Sequence, residues 1–166
     1  MRGSTRGLLM VHSTPSALCP HIEWAVGGVL GVPVELAWKA QPALPGQLRC
    51  ELAWSGPEGT GARLASAFRA WQRIRFEVTE QPGSDGEGHR WSCTPRLGIF
   101  HASTNLHGDV MVPEERIRAA MARAATDGSP LADELELLLG RAWDEELETF
   151  RHAGEGDSVR WMDRAV

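Results

Sequence analysis

The first 80 residues alternate between two hydrophobic periods, and the order in which they do so narrows the fold more than any other feature of the chain. Leu8–His12 is a short apolar run between Gly7 and Ser13-Thr14-Pro15 and reads as a buried strand. Leu18, Ile22, Ala25, Val26 and Val29 then recur at helical spacing. Ser13 or Thr14 suits the cap of that helix and Pro15 its first turn, while Gly31 and Pro33 end it. Val34, Leu36 and Trp38 alternate with Glu35, Ala37 and Lys39, and Leu48, Cys50, Leu52 and Trp54 alternate with Arg49, Glu51 and Ser55. A period of two with one apolar face means two half-buried strands, and Pro42, Pro45 and Gly46 suit the hairpin loop between them. A second helix is predicted over 60–72 with Leu64, Phe68 and Trp71 inside, then a strand with Ile74, Phe76 and Val78 inside. The order β-α-β-β-α-β describes an α+β, ferredoxin-like sandwich. Right-handed crossovers are expected to set the first and third strands in the middle, parallel, with both helices on one face.

The remainder extends this core. Residues 81–89 read as a loop, 91–103 as extended chain broken by Pro95 and Gly98, and 110–112 as a short strand. A helix is predicted over 113–125 with Ile117, Ala120, Met121 and Ala124 as its stripe, and a longer one over 130–152. Arg151 and His152 complement the dipole of that last helix, with Gly154 as its C′ residue. At 166 residues and 42% hydrophobic content, one domain over 1–166 is expected. It consists of a 1–80 core, extra strands in 90–112 and a helical extension over 113–152.

No apolar run reaches the roughly 18 residues that cross a bilayer, so no membrane span is expected. A net charge of −5 argues against a general nucleic-acid binder. The face carrying Glu35, Lys39, Arg49, Glu51, Arg75 and Glu77 mixes signs, which suggests cross-strand pairs on a solvated face or one covered by the C-terminal helices, and it lacks the stacked aromatics of an RNA-binding sheet. Leu8–Val11 is too short for the core of a signal peptide, which points to the cytoplasm. Cys19, Cys50 and Cys93 are odd in number and far apart, and read as three reduced thiols. Seven tryptophans without a tyrosine is an uncommon balance. Trp38, Trp54 and Trp71 fall on core faces. Trp24, Trp91, Trp143 and Trp161 do not clearly do so, and Arg90-Trp91 or Arg160-Trp161 suits a protein or acyl-ligand contact.

Parallel central strands would bring two loops together at one end of the sheet, each leading into a helix N-terminus. Unpaired amides, partial positive charge and glycines make such tips suited to anions. The ligand-binding set expected there is His12, Ser13, Thr14, Ser55, Gly59, Thr60, Gly61 and Arg63. Gly-Thr-Gly here is neither the lysine-bearing phosphate loop nor the dinucleotide fingerprint. The leading reading is a non-catalytic binding or regulatory protein for a polar or anionic ligand or a partner protein. The alternative is a small hydrolase or acyltransferase using His12 with Ser13 or Cys19. Cys19 and His21 point about 200° apart on a helix and are not a pair. A third reading is an oligomer subunit that uses the sheet edge and exposed tryptophans. His101, His107 and Asp109 span a hairpin and read as turn and strand residues, so no metal site and no cofactor is expected. Glu114-Glu115 and Asp144-Glu145-Glu146 are neighbours on helices rather than facing walls of a cleft.

The runs at 11–24 (from Val-His-Ser-Thr-Pro), 59–67 (Gly-Thr-Gly-Ala-Arg-Leu-Ala-Ser-Ala), 75–80, 94–102 and 150–156 resemble an actinobacterial family classed as a domain of unknown function. The resemblance covers nearly the whole chain. It implies a cytoplasmic actinobacterial protein, in keeping with Lys39 being the one lysine among 17 basic residues. The family's genes lie near those of fatty-acid synthesis, which implies a role near acyl-carrier or acyl-CoA chemistry. It assigns no residue a catalytic role.

Overall fold

The computed structural model describes residues 3–153 and is built on one sheet of seven strands. The strands are β1 (Ser4–Pro15), β2 (Lys39–Ala40), β3 (Gln47–Pro57), β4 (Arg75–Glu80), β5 (Gly88–Thr94), β6 (Gly98–Thr104) and β7 (Val110–Met111). The helices are α1 (Cys19–Leu30), α2 (Thr60–Phe68), α3 (Glu114–Asp127), α4 (Leu131–Leu138) and α5 (Arg141–His152). Across the sheet the order is β2-β3-β1-β4-β5-β6-β7. The first four strands thus form the α+β sandwich expected from the hydrophobic periods, and β5–β7 widen it.

One expectation is corrected. β1 and β3 are adjacent and central, but antiparallel. The crossover through α1 returns the chain so that β2 runs in the direction of β1, and the hairpin then reverses it into β3. Ser4 pairs with Pro57 and Pro15 with Gln47, so the loops leaving β1 and β3 lie at opposite rims.

The apolar face of the sheet packs against α1 and α2. Leu9, Val11, Cys50, Trp54, Phe76, Val78 and Trp91 meet Ile22, Val26, Leu64, Ala65 and Phe68 in one cluster. Each large side chain buried there contributes about 1.5–3 kcal/mol. α5 crosses the opposite face over β1 and β5, and Trp143 lies against Phe100 with ring centroids 5.1 Å apart. α3 packs on α4 and fully buries only Ala120.

Three local departures from the periodic reading have physical causes. Residues 34–38 are not a strand, because the Glu23 carboxylate of α1 accepts the Leu36 amide and the Trp38 indole N–H at 3.0 Å each. α2 ends at Phe68, and Trp71 follows on a turn stacked on Phe68. The helix expected over 130–152 is two helices, broken at Gly140, whose φ is +83°. A Cβ there would stand 2.7 Å from the Phe100 ring. Trp161 and Gly154 lie outside the described residues.

Candidate functional site

Register fixes where each candidate residue goes. The pairing of β1 slips by one residue just after Val11, between Val11 and Ser13 against β4 and between Val11 and Thr14 against β3, a β-bulge that includes His12. A bulge turns two consecutive side chains toward one face. His12 Nε2 accordingly lies 2.7 Å from Glu77 Oε2, and Arg75 Nη1 donates to Ser13 Oγ at 3.2 Å, both under α5. His12, Ser13 and Thr14 are all buried.

Glu77 is the hub of this polar core. Arg151 of α5 donates from Nε to Glu77 Oε2 at 3.0 Å and from Nη2 to Oε1, and Ser92 Oγ donates to Oε1 at 3.3 Å. Asp144 Oδ1 accepts from Arg151 Nη2 at 2.8 Å and from Arg90 Nη2 at 2.7 Å. Burial alone would raise the pKa of Glu77; the hydrogen bonds and charges of His12 and Arg151 overcome it and hold the carboxyl well below its usual range. Since Glu77 is ionised, the His12 nitrogen facing it is the donor.

The second expected corner stays together at the far rim. Its amides, however, are already occupied: Gly59 N donates to Glu80 Oε1 and Gly61 N to Oε2, each at 2.7 Å. A carboxylate at the helix N-terminus satisfies the two amides and complements the dipole. The anion expected at this tip is therefore supplied by the chain itself. Gly61 is buried, and a Cβ on it would stand 2.6 Å from Glu80 Oε2. Thr60 donates to Pro57 O, and Arg63 donates to Val29 O at 2.9 Å, tying α2 to α1. The two corners do not meet: Ser55 pairs beside Arg6, eight residues along β1 from Thr14, roughly 25 Å.

No nucleophile is activated at the His12 corner. Cys19 Sγ is directed to Pro15 O, Ser13 Oγ to Arg75 and His12 Nε2 to Glu77. Burial raises the Cys19 thiol, and pushes Cys50 up to about 12 and Cys93 up to about 11, so none supplies a thiolate at neutral pH. His107 and Asp109 belong to the β6–β7 turn, where Asn105 Oδ1 accepts both backbone amides at 2.9 Å. They do not join His101.

Two hollows open on the surface. One, of about 390 Å³, is polar and is lined by Ser4, Thr5, Arg6, Ser55, Gln81 and Pro82. The other, about 600 Å³, runs along α1 past Gly27, Gly28 and Pro33, with Trp24 on its rim 83% exposed. Of the expected ligand set, Ser55 lines the first of these hollows. The residues that dominate the polar core, Glu77 and Arg151, are not among the site residues expected from sequence. Their signal was an acid between Phe76 and Val78 in a buried strand.

A family model described as "Protein of unknown function (DUF3145)" matches residues 8–164. No curated protein and no solved structure matches the chain.

Proposed function

For a chain that belongs to the DUF3145 family, we propose a non-catalytic binding role, with a polar or anionic small molecule as ligand in the 390 Å³ hollow. The observation that carries this reading is Arg6. It pairs with Ser55 across β1 and β3, and its Nε is held at 2.9 Å by Gln81 Oε1. Among the described residues no hydrogen bond engages its Nη groups. A guanidinium held from behind and flanked by Ser4 and Ser55 offers a fork to a carboxylate or phosphate. The reading keeps one residue of the sequence-based set, Ser55, and moves the site from the helix tips to the sheet rim.

A hydrolase or acyltransferase built on His12 with Ser13 or Cys19 draws no support from this geometry, since His12 is 1% exposed and its Nε2 is spent on Glu77. The family resemblance and the arginine-over-lysine bias support an actinobacterial cytoplasmic setting near acyl-carrier or acyl-CoA chemistry. Acyl-CoAs are therefore the first ligands to try, followed by nucleotides and simple carboxylates. In a thermal-shift series the wild-type chain is expected to be stabilised by a phosphorylated or carboxylated ligand, and Arg6→Gln to lose the effect. A wild-type transition unmoved by all three classes overturns the reading.

A further inference from the structure

We propose that His89 and His101 together form a binding site for a divalent late transition ion of the zinc class. β5 and β6 pair Trp91 with His101 and His89 with Ser103, which makes the two histidines diagonal neighbours on the α1/α2 side of the sheet. α2 reaches Trp91 and stops, so His101 is exposed and His89 half-buried. His101 Nε2 and His89 Nδ1 lie 3.2 Å apart. Two imidazole nitrogens bound at 2.0–2.1 Å on neighbouring corners of a tetrahedral zinc ion stand about 3.3 Å apart. The pair thus already has the separation that chelation requires.

The rings are held as well as spaced. Trp91 stacks on His101 at 4.9 Å and 20°, and His89 leans on the same indole at 5.6 Å. That indole is wedged against Gly61, where a Cβ would stand 2.7 Å from its ring. On metal binding the shared N–H gives way, its proton passing through solvent to the other nitrogen of the same ring. Among the described residues no group of three His, Cys, Asp or Glu converges. The site is therefore open, with its remaining positions taken by water or by an oxygen of a bound ligand. Neither histidine lines the Arg6 hollow, and the two proposals stand or fall separately.

The test is calorimetric titration of the tag-free full chain with zinc chloride at pH 7, read together with imidazole nitrogen shifts in the wild-type protein. One-to-one binding is expected, with His89 Nδ1 and His101 Nε2 the nitrogens that move. His101→Gln and His89→Gln are each expected to weaken binding about tenfold or more. His107→Gln and His152→Gln, which alter other surface histidines, are expected to leave it unchanged. Absence of zinc binding to the wild type, or binding that survives both His101→Gln and His89→Gln, overturns the proposal. The wild-type shifts keep the test independent of how the variants fold.

Discussion

Arg151 grips both carboxylate oxygens of Glu77 from 74 residues away, and in doing so fastens the last helix to the middle of the sheet. The Arg151 side chain is 12% exposed and that of Glu77 8%. Removing one partner of such a pair leaves the other charge buried and costs about 3–5 kcal/mol. Arg151→Met is therefore expected to lower the urea midpoint sharply. Arg151→Lys, which keeps the charge but loses the fork, is expected to lower it less. Equilibrium unfolding of both variants checks the order.

Acid acts on the same residue. The folded-state pKa of Glu77 is depressed below its ordinary 4.5. Its contribution is therefore full above that value and is lost as pH falls toward the folded pKa. Urea midpoints are expected to be flat between neutral pH and about pH 5.5, and to decline below about 4.5. Glu77→Gln is expected to be less stable at pH 7 and to show a shallower acid slope. A wild-type slope that survives this substitution in full would assign acid sensitivity to other carboxyls.

Glu80 fills the helix tip that the sequence reading gave to a ligand. A hydrogen bond to a charged group contributes about 1.5–3 kcal/mol, so Glu80→Ala is expected to destabilise α2 by about 2 kcal/mol or more. It also frees the Gly59 and Gly61 amides for an external anion. Added sulfate is expected to raise the thermal midpoint of this variant more than that of the wild type, at matched ionic strength against chloride. Equal increments for the two proteins would show that the carboxylate does not occupy an anion site.

Gly140 separates α4 from α5 at a φ of +83°. An L side chain in that conformation costs about 1–2 kcal/mol, and a Cβ there also meets Phe100 at 2.7 Å. Gly140→Ala is expected to destabilise by more than the backbone term alone. Gly140→Ala combined with Phe100→Leu is expected to recover part of the loss, as a double-mutant cycle by urea unfolding would show.

The fold was legible where the chain speaks through its periods. Cys50, Trp54, Phe76 and Val78 occupy the inner face that alternation gave them, and the order of the first four strands followed. Strand direction was not legible in the same way, because it depends on counting reversals through a crossover and a hairpin rather than on any residue. That single inversion separated the His12 corner from the Ser55 corner. The polar core was half visible: the mixed-sign face allowed a cover of C-terminal helices, but no spacing pairs Glu77 with Arg151 until α5 is laid across the sheet. Apolar spacing on both sides of Gly140 likewise read as one helix, since a left-handed residue interrupts the backbone without interrupting the stripe.

Both margins of the sheet are two-residue strands, Lys39–Ala40 at one side and Val110–Met111 at the other. Each covers only two residues of the longer strand inside it, Leu48 and Arg49 of β3 and Ser103 and Thr104 of β6, so the rest of each of those strands has no strand paired on its outer side. A strand added from a second molecule would ladder onto those stretches of β3 or β6 rather than onto the two-residue borders.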